Sequence, residues 1–242
     1  MPRFQIISDV HTEFHRDGGK YFCENVPVLS SVLVVAGDFT MHRYMADCFT
    51  TLANRFENVI YVHGNHEYYD ALRGDVHNTM NKLTKRLSNF YWLNNKAIEI
   101  DGQRFIGGTM WFKDDPDNVM YQDLMNDFTV IPGFRKWVYQ ENKKTLDFLN
   151  KEMKAGDVVI THHAPCQLSV DGRHKGSPTN RFYVCDQSEL IRERKPSYWI
   201  HGHMHTPVEY PLYDTWIVSN PFGYIGIEST PAIESYGKVL GD

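Results

Sequence analysis

Val32-Leu33-Val34-Val35-Ala36-Gly37-Asp38 is a continuous apolar run that stops on Gly-Asp. A short run rich in β-branched residues and without polar alternation reads as a strand buried on both faces. Phe4–Ile7 before it and Val59–Val62 after it read the same way, and Tyr44–Phe56 between the second and third carries a helical pattern. Strand, helix, strand is a β–α–β unit, which closes with a right-handed crossover. The fold class is therefore α/β.

The middle of the chain changes character. Tyr91–Leu93, Ala97–Ile100 and Arg104–Gly107 are short strand candidates, with Asp101-Gly102 as a tight-turn signal between the last two. Helices are expected over Asp75–Leu87, Val119–Phe128, Arg135–Met153 and Gln187–Arg194. Val158–Thr161, Tyr198–His201, Val208–Tyr210 and Trp216–Val218 complete the strands. No repeat or linker interrupts the pattern, so residues 1–242 are read as one domain.

The 242 residues include 42% hydrophobic and 14% aromatic side chains, enough for a substantial core. The formal charge of −5 argues against a protein held to nucleic acid by bulk electrostatics. Cys23, Cys48, Cys166 and Cys185 lie far apart, form no C-x-x-C pair and suggest neither a zinc knuckle nor a disulfide framework. No apolar run approaches the ~20 residues a membrane helix needs. The first motif follows Met1 too closely for a removable leader, so a cytoplasmic setting is expected.

Chemistry-bearing residues gather at one end of the strands. Asp9, Asp38, Asn65, His162 and His203 each stand at or just past the carboxyl end of an apolar run. Ligand sites of open α/β sheets collect along that edge. Asp9 and His11 are two apart in an extended segment, so they point the same way. Asp38 has two oxygens and can bridge two metals, which a histidine cannot. Gly64-Asn65-His66-Glu67 and Gly202-His203-Met204-His205 are more specific than either. Aspartate, asparagine and histidine without cysteine suit divalent metals of intermediate softness. Paired ions of that kind clamp an in-line displacement at phosphorus.

In order, these segments resemble the signature of the calcineurin-like metallophosphoesterase superfamily: D-x-H, G-D, G-N-H-(D/E), H, G-H-x-H. Ser8-Asp9-Val10-His11-Thr12-Glu13-Phe14, Gly64-Asn65-His66-Glu67-Tyr68-Tyr69, Phe105-Ile106-Gly107-Gly108-Thr109-Met110-Trp111 and Thr161-His162-His163-Ala164-Pro165 resemble a bacterial and phage subgroup of it. That likeness reaches Asn220-Pro221-Phe222-Gly223-Tyr224, although Phe222 stands where the pattern leads us to expect an arginine. The resemblance implies a four-layer α/β/β/α sandwich with a dinuclear metal centre. It implies that Asp9, His11 and His205 hold one ion, that Asn65, His162 and His203 hold the other, and that Asp38 bridges them. His163 is then a neighbour of the site or a packing residue. His66 is implied as a proton donor to the departing alkoxide, while a hydroxide shared by ions about 3.5–4 Å apart attacks phosphorus. Two divalent ions are the expected cofactor, manganese first, with Fe, Zn, Co or Ni also suited to the ligand set.

Substrate contacts are expected from Asn65 and His66, with Arg173 a further candidate because the loop from Cys166 to Tyr183 follows a ligand and carries Arg173, His174, Lys175 and Arg181. Tyr68 and Tyr69 can stack on a base or simply cover the core, and Asp114, Asp115 and Asp117 lie where a cap over the opening would start. Glu13 and Glu67 can orient ligands, although such carboxylates usually lie in solvent. The expected partner is a small phosphorylated substrate, a phosphodiester or phosphomonoester, nucleotide-like ones included; no membrane and no stable nucleic-acid complex are expected. The alternatives are a nuclease and a non-catalytic scaffold. The first lacks a basic surface in the sequence, and the second predicts broken ligands where none is broken. Gly37-Asp38-Phe39-Thr40-Met41-His42-Arg43 lacks the second Asp and the Arg-Gly of protein Ser/Thr phosphatases.

Overall fold

Ile6 and Ile7 are adjacent in sequence yet enter different hydrophobic cores, because successive side chains of a strand leave opposite faces. The computed structural model describes residues 2–241. In it, β1 (Phe4–Ile7), β2 (Val32–Ala36), β3 (Asn58–Val62) and β4 (Phe90–Trp92) form a parallel sheet. The second sheet holds β5 (Lys96–Ile100), β6 (Gln103–Gly107), β7 (Val158–Ile160), β8 (Tyr198–Ile200), β9 (Val208–Leu212) and β10 (Thr215–Ser219). Its order is β5-β6-β7-β8-β10-β9, parallel in the middle and antiparallel at both edges. β11 (Lys238–Leu240) closes the first sheet, antiparallel to β1.

Three cores stack through the molecule. Phe4, Ile6, Val34 and Ile60 of the first sheet meet Phe105, Ile160, Ile200 and Val218 of the second. The outer face of the first sheet buries Leu33, Val35 and Tyr61 under three helices, α1 (Lys20–Asn25), α2 (Met45–Ala53) and α3 (Arg73–Arg86). Two single turns follow, α4 (Asn118–Tyr121) and α5 (Asp127–Val130). The outer face of the second sheet buries Ile106, Val159, Trp199 and Ile217 under α6 (Val138–Glu152) and α7 (Ser188–Arg194). The layers are α/β/β/α, as the resemblance implies.

Strand register delivers the motifs to one edge. Ala36 pairs with Val62, so two residues onward Asp38 and Gly64 lie side by side. Ile7 pairs with Val35, and the next bond beyond that pair runs from the Asp9 N–H to the Gly37 carbonyl at 3.1 Å. In the second sheet Ile160 pairs with Ile200, and Gly202 N–H reaches the His162 carbonyl at 3.0 Å.

Four segments differ from expectation. The helix expected over Val119–Phe128 is broken by a 3-10 turn at Gln122–Leu124. Its apolar residues Val119, Met120 and Leu124 are exposed, so no continuous apolar face holds one straight helix. The long helix starts at Val138, because Gly133 in the left-handed region starts a separate 3-10 turn at Phe134–Lys136. β11 and α1 carry no strong local pattern: β11 has three residues and a partner at the other end of the chain, and α1 is one six-residue segment started by Asp17, whose side chain accepts the N–H groups of Gly19 and Tyr21.

Phe4 sits between the sheets, edge-on to Phe105 at 5.5 Å and Tyr198 at 5.9 Å. Phe4→Ala should cost about 3–5 kcal/mol in a urea or guanidinium titration. Val119→Ala, at a 66% exposed site, should stay within about 0.5 kcal/mol. Equal effects would contradict the layer assignment.

Candidate metal centre

The loops that leave the strands are strained where the ligand-type residues sit. Asp9, His11, Asp38, His203 and His205 all have φ between 48° and 67°, a region that L residues seldom occupy. Such strain persists where the surroundings over-determine it, and it concentrates at functional sites. Glycine allows the loops to close on one another. A Cβ on Gly64 would stand 2.0 Å from Asp38 Oδ1, and one on Gly37 would stand 2.4 Å from His162 Nδ1.

Seven of the residues read from the sequence converge. Asp9, His11 and His205 bring ligand atoms within 4.8 Å of one another, as do Asp38, His162 and His203. His11 Nε2 faces His205 Nε2 at 2.9 Å, and Asp9 Oδ1 lies 3.8 Å from His205 Nε2. Asn65 Oδ1 lies 3.1 Å from His162 Nε2. Asp38 Oδ2 stands between the two groups, 3.2 Å from His162 Nε2 and 3.8 Å from His11 Nε2. His203 Nε2 is buried without a hydrogen-bond partner. An orphaned imidazole nitrogen among carboxylates and an amide oxygen fits a divalent ion. His66 completes a third overlapping group with His11 and Asp38.

Outer partners set which nitrogen faces inward. His162 Nδ1 donates to the Ala36 carbonyl at 2.9 Å, His205 Nδ1 to Glu228 at 2.8 Å, and His11 Nδ1 to Glu13 at 3.2 Å. Each leaves Nε2 free for the centre, the usual way a carboxylate or carbonyl orients a ligating imidazole. Glu13 also accepts from His66 Nδ1 at 2.8 Å, and Tyr69 stacks on the His66 ring at 4.1 Å. Burial alone would depress His66, but the charges of Asp38 and Glu13 outweigh it and raise the imidazole to about 9. Burial would also raise Glu13, yet the hydrogen bonds from His11 and His66 hold it at about 2.

Sequence reasoning gave several supporting residues no role. Asp127 is buried and accepts from Asn65 Nδ2 at 2.9 Å and from the Tyr69 hydroxyl at 2.8 Å, which turns the Asn65 oxygen inward. Burial pushes the Asp127 carboxyl above its usual range. Tyr224 presents its hydroxyl 3.3 Å from His66 Nε2, and Glu228 caps His205. Tyr224 and Glu228 come from a segment without periodicity, where Tyr224 ends the last recognised motif, and Asp127 lies in a stretch read only as a helix. Glu67 is fully buried, contrary to the expectation of solvent, and accepts the N–H groups of Gly64 at 2.7 Å, Phe39 at 2.8 Å and Asp38 at 3.2 Å. It thereby ties the second motif loop to the third.

The remaining candidates lie elsewhere. Arg173 is exposed and paired with Asp171 at 3.0 Å, and it is absent from the cleft over the centre. His174, from the same loop, does line that cleft. Arg181 pairs with Asp115 at 3.4 Å and with Asp117 at 3.9 Å, joining the two long loops. His163 is packed against Trp111 and His203, and burial and neighbouring His162 push it down to about 3. Tyr68 is core, and Phe222 fills an aromatic cluster with Phe22 and Tyr236 rather than facing the centre.

A family model described as calcineurin-like phosphoesterase matches residues 2–207. A phosphopantetheinyl hydrolase from Mycobacterium tuberculosis superposes with a TM-score of 0.71, at 16% identity over 92% of this chain and 90% of its own. A dimetal phosphatase from Danio rerio gives a TM-score of 0.52, at 14% identity over 98% of this chain and 91% of its own. At such identities the likeness establishes the fold. An uncharacterized protein of Acanthamoeba polyphaga mimivirus is 23% identical, covering 73% of this chain and 71% of its own. No helix among the described residues is long and apolar enough to cross a membrane.

His162 supplies a test of metal binding that needs no substrate. Burial lowers its pKa, but Asp38 and Asp9 outweigh that and raise it to about 9, so at pH 7 the metal-free protein holds a proton there. A ligand must be deprotonated. Manganese binding at pH 7 should therefore release about one proton or more, read by calorimetry in two buffers of different ionisation enthalpy, and affinity should rise with pH up to about 9. A heat independent of the buffer would contradict this. Gly64→Ala should abolish the binding, since its Cβ collides with Asp38.

Proposed function

The chain belongs to the calcineurin-like phosphoesterase family, a family of dinuclear metal-dependent enzymes that makes it a phosphoric-ester hydrolase, and on that footing we propose that it cleaves a small phosphomonoester or phosphodiester. Asp9, His11 and His205 would hold one ion, Asn65, His162 and His203 the other, and Asp38 would serve both. The observation that carries the reading is the pair of ligand groups meeting at Asp38, with His66 beside them and open to the cleft. When bound, divalent ions supply an activated water and positive charge against the phosphoryl oxygens. Manganese is the first metal to try, because an Asp/Asn/His set without sulfur accepts it readily. All four cysteines are free thiols, which suits a reducing compartment, and we place the enzyme in the cytoplasm.

The residues of the chain do the rest. Glu13 fixes Nδ1 of His66, so Nε2 carries the proton toward the cleft. Tyr69, stacked on the ring and anchored by Asp127, holds its plane. In that position His66 donates a proton to the departing alkoxide as the ester bond breaks, and Asn65 and His66 contact the phosphoryl group. Glu13, which accepts from Nδ1 at 2.8 Å, favours the protonated ring that a general acid requires.

His66→Asn should keep two ions per chain by metal analysis and slow hydrolysis of an alkyl ester by ~100-fold or more. The loss should be much smaller for an ester whose leaving group is an acidic phenol, because that group departs without a proton. Equal losses for both esters would remove the general-acid role. No turnover of an aryl monoester or a bis-aryl diester by intact, manganese-loaded protein would overturn the hydrolase reading for this chain.

A further inference from the structure

The cleft over the centre has a volume of about 780 Å³, and among the described residues no lysine or arginine lines it. Its basic side chains are histidines, most of them at the metal centre itself. The walls beyond carry Asp70, while Glu228 is paired with His205 Nδ1 at 2.8 Å. Three arginines of the surrounding loops are already engaged: Arg181 with Asp115 and Asp117, Arg173 with Asp171, Arg135 with Asp123.

Apolar side chains stand at the mouth instead. Phe14 is 43% exposed, Leu124 67% and Ile227 70%, and all three line the cleft. Apolar side chains lining a cleft offer contact area to an apolar part of a ligand. Phe14 packs on Tyr224 at 4.9 Å, and Tyr224 in turn reaches the proton-donating nitrogen of His66. The apolar wall therefore lies on the side where a leaving group departs from His66.

Resting on the hydrolase reading above, we propose that the substrate carries a single phosphoryl group, the one at the ions, on an uncharged and partly apolar body. That body lies along Phe14, Tyr224, Ile227 and Leu124. A second phosphate placed away from the ions would find no lysine or arginine lining the cleft and would face the Asp70 carboxylate, so nucleoside di- and triphosphates, pyrophosphate and oligonucleotides are poor substrates. Like charges without a compensating cation are disfavoured, most of all in a partly desolvated cleft.

The test uses the manganese-loaded protein and phenyl phosphates bearing a growing para-alkyl chain, alongside the same ring bearing a second phosphate. KM should fall about three- to fourfold for each of the first methylenes, the worth of a buried CH₂, and the second phosphate should raise it about tenfold or more. Ile227→Lys, at an exposed position, should lower KM for the bisphosphate and flatten the alkyl series. Matching phosphonates, bound without turnover and read by calorimetry, should follow the same order in Kd. Equal or tighter binding of the doubly charged phosphonate would overturn the proposal. Absence of turnover with the phosphonate order intact would overturn the hydrolase reading and leave this one standing.

Discussion

The buried carboxylate of Asp38 is the constraint on which the site depends. It is 1% exposed, and a charge so far from water must be paired and hydrogen-bonded. Its Oδ1 accepts the His66 N–H at 2.9 Å, and its Oδ2 lies against His162. Burial would raise its pKa, but the charges of His162 and His66 hold it well below the ordinary range. The loops around it converge because this one anion has to be satisfied from several directions. Divalent ions and imidazolium protons are alternative ways of supplying the same positive charge, so metal loading and proton uptake are linked.

Asp38 is held by a second buried acid. Glu67 accepts N–H groups from two loops, and burial beside Asp38 lifts its carboxyl to about 7. The charge of Asp38 disfavours ionisation of Glu67, and the N–H groups that Glu67 accepts partly offset this. The glycines and the left-handed φ values also help to hold Asp38. They remove the atoms that would keep Asp38, His162 and Asp9 apart, and the packed double sheet beneath holds the strained conformations in place.

Much of this was legible from the order of residues. The apolar runs ending at Ile7, Ala36, Val62, Ile160 and Ile200 mark strands through local composition alone, and the residues just past them are the ones brought together. Partners that come from far away left no such trace. Asp127 reaches Asn65 only because the segment around it breaks into short turns, where an unbroken helix was expected. Glu228 and Tyr224 follow the last sheet in an irregular stretch. Arg173 looked like a phosphate contact because of its loop, but Asp171, two residues earlier, takes its charge. Pairing inside a loop is decided by three-dimensional neighbours, which spacing does not encode.

The claim that two ions meet at Asp38 is tested most directly by the anomalous scattering of crystals grown with manganese. The account predicts two peaks about 3.5–4 Å apart, one among Asp9, His11 and His205, the other among Asn65, His162 and His203, with Asp38 touching both. A single peak, or a pair that leaves Asp38 on one ion only, would contradict it.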